Sequence, residues 1–310
     1  GVGYAQKVKK STTHYDLAKE MALRNLAEEI SVDITSSTIH ISYEEDFLLK
    51  EDFSSVIEAR VNSSIEGYEL VDTYENRDEY WVFYRLNKQN YAELQAQKRE
   101  QAVKLSLSHF LSAEKAQQNF DMRNAIIFYT KSIDALKAYF NEIVTTEING
   151  QTVNLITEAY NRIYQILSNT IIVPKNKIVV CKTGYKIAPE QLCCEVFFHE
   201  KPIKNFPIVT FFSENAQQQK LNSDANGMVE FSLTVKSKNT SETVDFSIDK
   251  TTLLLQATTD FAIRKWLQKI PVAKTTISLK VNKPTISITS VEKNIGVTQK
   301  DKIFKIKLQE

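Results

Sequence analysis

The chain has 310 residues, 42% hydrophobic and 25% charged, which is ordinary globular composition and enough apolar material for two or three cores. Lys and Arg number 39 against 38 Asp and Glu, so the net charge of +1 leaves no electrostatic footprint for nucleic acid or an anionic membrane. Seven scattered glycines form neither a GxGxxG nor a Walker pattern, no stretch nears the roughly 18 apolar residues of a spanning helix, and four isolated histidines show no HxxxH or HExxH spacing.

Residues 12–30 read as a helix capped by Ser11 or Thr12, with Leu17, Ala18, Met21, Ala22, Leu26 and Ile30 as its apolar stripe. Its alanines imply close approach to a sheet. Val32, Ile34, Ile39 and Ile41 then alternate as a half-buried strand does. Residues 51–65 predict a second helix with Phe53, Val56, Ile57 and Val61 inward, ended by Gly67. Residues 68–87 read as a hairpin turning at 75–78. The order predicts an α+β domain over residues 1–87.

Residues 88–169 are helical and poor in turn signals. A long amphipathic helix over 90–118 is followed, across a turn at 119–121, by an antiparallel partner over 122–140. A third helix over 153–169 follows the turn in "EINGQ". Ala116, Ala125, Tyr129 and Ser132 sit where a tetratricopeptide hairpin places its small and aromatic contacts, so the segment is TPR-like as a single unit. One such unit cannot bury its own apolar face. Phe128, Tyr129 and Tyr139 are therefore candidate contacts to a neighbouring domain or partner.

Residues 170–283 shift to Val, Ile, Thr, Phe and Lys. Six short strand patterns between turns predict an antiparallel, immunoglobulin-like β-sandwich, with "DANG" at 224–227 as a turn and a short helix near 258–271. Residues 284–310 read as the start of a further strand pair, still in progress at the last residue. The start at Gly1 rather than at methionine is what removal of a signal segment leaves, and equally what any trimmed piece shows. The fold class is thus a multidomain α+β chain: an α+β domain, a helical hairpin and a sandwich.

The candidate sites carry little chemistry. Cys181, Cys193 and Cys194 show no metal spacing; Cys181 and Cys193 are candidates for a cross-strand disulfide, with free thiols as the plainer alternative. Because Cys193 and Cys194 are neighbours on a strand, at most one is expected in the core. His14, His40, His109 and His199 are expected as surface or capping groups. The acids of residues 43–47 and the Asp-x-Asn-Gly of 224–227 lack the ligand count of a calcium loop. No catalytic residue, metal ligand or cofactor is expected. On the aromatic strand of residues 80–84, one of the two faces is available for contacts, with Tyr80 and Tyr84 as candidates beside the helical aromatics.

The opening "GVGYA", the run "LAKEMALRNLAEEISVDITSS" and the later "YWVFYRL" resemble the LPP-twenty lipoprotein family of bacterial envelopes, whose relatives include a periplasmic flagellar protein. The resemblance rests on Gly1, Gly3, Ala5, Ala18, Ala22, Leu26, Ala27, Ile30, Val32, Trp81 and Val82, within roughly the first 90 residues. It implies a secreted, non-enzymatic protein of the periplasm or outer membrane. It also implies a lipid anchor on a cysteine upstream of residue 1. Other envelope proteins are the expected partners of a scaffold or adaptor, and a glycan or peptidoglycan the alternative ligand.

Overall fold

The computed structural model describes residues 1–7, 12–37, 66–140, 143–148, 150–236, 239–283, 286–287 and 307–308. It is a mixed α/β structure with six helices among these residues and several antiparallel sheets, none closed into a barrel. The chain forms two units that alternate along the sequence. Gly1–Ala116, Asn124–Ile163 and Leu254–Lys269 belong to one; Gln117–Arg123, Tyr164–Leu253 and Ile270–Glu310 belong to the other.

The first unit begins with β1 (Val2–Gln6), α1 (Thr13–Ser37), β2 (Tyr68–Glu75) and β3 (Glu79–Leu86). The strands pair antiparallel in the order β1-β3-β2. The expected hairpin is present. Its turn is held by Asn76, whose Oδ1 accepts from the Asp78 and Glu79 amides at 2.9 and 2.7 Å. Helix α1 lies directly on β1. A Cβ on Gly3 would sit 2.0 Å from the Ala18 carbonyl oxygen, and one on Gly1 would sit 2.2 Å from that of Ala22. The glycines are needed for backbone approach. Ala5, Ala18, Ala22, Val82 and Tyr84 form the core beneath the helix.

Two expectations for α1 are corrected. The helix continues to Ser37, so Val32 and Ile34 are helical rather than on a strand. A two-residue alternation cannot end a helix when no Gly or Pro follows to stop it. The apolar stripe is also narrower than expected. Ala18, Ala22 and Leu26 are buried, but Leu17 and Met21 are 54% and 37% exposed. They stand to one side of the line of small residues that the close contact with β1 selects. Ile39, Ile41, the helix expected over 51–65, the acids of 43–47 and His40 lie outside the described residues.

Helix α2 (Lys88–Gln118) is capped by Asn87, whose Oδ1 accepts from the Gln89 and Asn90 amides. Its partner α3 (Met122–Ala135) follows the expected turn. Small residues let the two approach: Ser106 Oγ donates to the Ser132 carbonyl at 2.9 Å, in a fully buried contact, and Phe110 packs edge-on to Tyr129 at 5.2 Å. The "EINGQ" turn joins two short strands, β4 (Thr145–Ile148) and β5 (Gln151–Asn154), and Asn154 caps α4 (Leu155–Asn169).

The second unit takes its strands in chain order: β6 (Thr170–Pro174), β7 (Ile178–Lys182), β8 (Lys186–Ile187), β9 (Cys193–Phe198), β10 (Lys201–Pro202), β11 (Pro207–Phe212) and β12 (Gln217–Asn222). Then come β13 (Met228–Glu230), β14 (Leu233–Thr234), β15 (Ser241–Ile248) and β16 (Lys274–Asn282), with a last antiparallel pair β17 (Ile286–Ser287) and β18 (Lys307–Leu308). One sheet centres on β9, flanked by β6, β10 and β13; the other runs β12-β11-β15-β16-β7. The expected strands are there, but the pairing is not wholly antiparallel, because β7 runs parallel to β16. Alternate residues such as Val196 and Phe198, and Val244, Phe246 and Ile248, are buried. The "DANG" turn is confirmed: Asp224 Oδ1 accepts from the Asn226 and Met228 amides, both at 2.8 Å, and Gly227 has φ +77°.

Between β15 and β16 the chain makes α5 (Lys250–Ala257), which sequence reasoning missed, and the expected short helix α6 (Phe261–Leu267). Asp260 caps α6 by accepting from the Ile263 amide at 3.0 Å. Within the first unit, Thr258 Oγ1 donates to Asp134 at 2.5 Å and Trp266 stacks on Tyr160 at 4.7 Å.

Two substitutions test this fold. Gly3→Ala drives a methyl into the α1 backbone and should lower stability by about 1–3 kcal/mol, read as a lower thermal midpoint of the full chain; Ala22→Leu should cost a similar amount. Conversely, His199 and Glu200 form the two-residue β9–β10 turn with φ of 46° and 64°. Glu200→Gly relieves that strain and should stabilise by up to about 1 kcal/mol in the same melt.

Candidate interaction surfaces

The aromatic strand β3 presents its two faces unequally. Tyr80, Val82 and Tyr84 point toward α1; Tyr84 is buried and Tyr80 half-buried, its phenol pKa raised first by burial and then by Tyr15. As candidate contact residues both are corrected, because the helix claims their side of the sheet. The opposite face is the exposed one. Register places Val2 beside Phe83 and Tyr4 beside Trp81 on one side, and Asp72 beside Phe83 and Tyr74 beside Trp81 on the other. Phe83 is 40% and Tyr74 63% exposed. Tyr4 stacks on Trp81 with centroids 4.5 Å apart, and Trp81 Nε1 donates to Glu79 at 3.0 Å. Strand alternation was the readable signal; which half the helix would cover was not.

The helical candidates divide in the same way. Tyr129 is fully buried, and burial pushes its phenol pKa up, so it is a core residue and not a contact for a partner. Phe128 and Tyr139 are half-buried. The ring of His109 is 6.4 Å from that of Phe128, and the Lys131 ammonium lies 5.4 Å from the Phe128 centroid. His109 has its pKa lowered by burial first, and then by Lys131.

All three cysteines are free and buried. Cys181 and Cys193 lie in different sheets, their thiols donating to the carbonyls of Lys280 and Glu190. No bridge joins them. Cys193 and Cys194 are both in the core, against the expectation that only one would be, because both faces of β9 are covered at that end. Burial pushes the Cys194 thiol up to about 12. His14 is also buried rather than superficial; its ring lies 4.1 Å from Tyr15, and its Nδ1 lacks a hydrogen-bond partner. His199 is exposed in its turn. Among the described residues no three His, Cys, Asp or Glu side chains are placed to hold a metal ion, and no helix is long and apolar enough to cross a membrane.

Comparison with protein-family models and with curated proteins finds no match for this chain.

Two outcomes check this geometry. In the native chain, Cys193 and Cys194 should resist a thiol reagent at neutral pH and react only on unfolding, since both are fully buried. For His109, the folded pKa lies below the unfolded value of about 6.5, so the unfolded state binds more protons just under that pH. Its contribution therefore favours folding above that value and is lost as pH falls through it. Denaturant melts should show His109→Gln losing less stability between about pH 7 and 5 than the parent chain does.

Proposed function

We propose that this chain is a non-catalytic scaffold or adaptor of a bacterial cell envelope, related to the LPP-twenty lipoproteins. The observation that carries the reading is the contact of α1 with β1. Gly1, Gly3, Ala18 and Ala22, four of the residues on which the resemblance rests, are the ones that meet there, and a Cβ on either glycine would strike helix backbone. The spacing is a packing device over the whole helix–strand contact, which a chance match of Gly-x-Gly-x-Ala would not be.

The finer architecture follows within the same proposal. The sandwich is immunoglobulin-like. β6, β9 and β13 take the places of strands A, B and E, and β12, β11, β15, β16 and β7 those of C′, C, F, G and A′. In support, the first strand divides between the sheets, antiparallel on β9 and then parallel on β16. The TPR-like reading of α2–α3 is supported by buried Ala125, Tyr129 and Ser132. The open face of Tyr4, Tyr74, Trp81 and Phe83 is the surface offered to another envelope protein. The stacked Tyr4–Trp81 pair beside Glu79 and Asp72 supports the second reading, a glycan or peptidoglycan binder.

Fractionation and pull-down of the protein from its own cells test both. The scaffold reading expects recovery with the envelope, together with a stable protein partner that is lost in Trp81→Ala/Phe83→Ala. Retention on purified peptidoglycan, lost in the same variant, selects the binder. Recovery in the cytoplasm would overturn the envelope reading.

A further inference from the structure

β7 ends one side of the five-stranded sheet. Its register on β16 sets Ile178 beside Ser278, Val180 beside Lys280 and Lys182 beside Asn282. Ser278 N donates to the Lys177 carbonyl at 3.0 Å, and Thr183 N to that of Asn282 at 3.3 Å. Those bonds make the odd-numbered residues of β7 the ones whose backbone faces β16. The amides and carbonyls of Ile178 and Val180 therefore point away from the sheet. The side chains of the same two residues are 54% and 59% exposed.

Sheet edges are commonly blunted by a charge, a proline or a bulge. Ile178 and Val180, whose backbone faces outward, carry none of these; the strand's one charge, Lys182, stands at its end. At the opposite end of the sheet, β12 carries three consecutive glutamines and Lys220. What surrounds β7 is positive charge. Lys175, Lys177, Lys182, Lys186, Lys280 and Lys283 are all exposed, and no carboxylate among the described residues forms an ion pair with any of them. An apolar edge with outward-facing backbone groups thus sits inside a rim of lysines that form no ion pair with a described carboxylate.

We propose that β7 is a strand-addition site that takes an extended acidic segment of a partner protein. The partner's backbone completes the hydrogen bonds of Ile178 and Val180, and its carboxylates meet the lysine rim. Charge selects this occupant over two others. A second copy would bring β7 against β7 and set lysines against lysines. Residues 284–310 of this chain carry five lysines against three acids, the wrong sign. The inference stands on the second unit alone and does not depend on the envelope reading.

The test is fluorescence anisotropy of a labelled peptide, end-blocked Thr-Glu-Val-Asp-Val-Glu-Thr, titrated with the full chain, beside a peptide with lysine at each acidic position. The acidic peptide should bind, more weakly as salt rises, and the basic one should not. Val180→Pro removes an outward amide and no ladder bond, as an edge strand tolerates; it should weaken binding by about tenfold or more. Lys182→Glu/Lys280→Glu should do the same and reverse the preference between peptides. The charge variant decides the matter if circular dichroism shows that the proline variant has not folded. Failure of the acidic peptide to bind, equal binding of both peptides, or affinity unchanged in the charge variant would overturn the proposal.

Discussion

Trp266 lies nearly flat on Tyr160, with planes 13° apart, and Thr258 reaches Asp134 with its hydroxyl. These two contacts hold a segment that the sequence places in the middle of a sheet. Leu254–Lys269 folds with the helices of the first unit, while β15 before it and β16 after it belong to the second. Ile263, Trp266 and Leu267 on α6 are buried, so the contact is a core and not a decoration. Neither unit is a continuous length of chain. A chain so threaded cannot complete the first unit until Leu254–Lys269, which lies between β15 and β16, has been made.

Elsewhere, small residues set the geometry. Gly1 and Gly3 allow α1 to touch the backbone of β1, and Ala18 and Ala22 answer them from the helix. Ser106 and Ser132 do the same between α2 and α3, adding two buried hydrogen bonds, hydroxyl to carbonyl and hydroxyl to hydroxyl, that fix the register of the two surfaces. A net bond of this kind is worth about 1 kcal/mol. Its larger effect is negative, because a slip of one turn would leave a buried hydroxyl unpaired.

The sequence was most legible where one periodicity ran unopposed. The β2–β3 hairpin, the α2–α3 pair and most strands of the second unit all stood out, because turn residues such as Asn76, Asp224 and Gly227 bounded them. It was least legible where tertiary contact chose between equal alternatives. Val32 and Ile34 alternate like a strand, yet they extend a helix that nothing local stops. Tyr80, Trp81, Phe83 and Tyr84 announce two aromatic faces, and only the position of α1 decides which is open. Cys193 and Cys194 point to opposite sides of a strand, which predicts one exposed thiol unless both sides are covered, as they are. Helix α5 was missed because "KTTLLLQA" has no amphipathic stripe and reads as a piece of a strand-rich stretch. The parallel placement of β7 has no local signal at all, since register between strands about 100 residues apart is a property of the whole sheet.

That parallel pair also governs how the second unit would carry tension. β7 and β16 are the first and last strands in chain order of the five-stranded sheet and run in the same direction, so a pull on the chain entering β7 and on the chain leaving β16 drags the two strands past each other along their length. The ladder between them is then loaded in shear, and its hydrogen bonds must yield together. In an antiparallel hairpin pulled at its open end they would break singly, in succession. The strand that leaves its own outer edge unpaired is the one that locks the five-stranded sheet against being drawn out lengthwise.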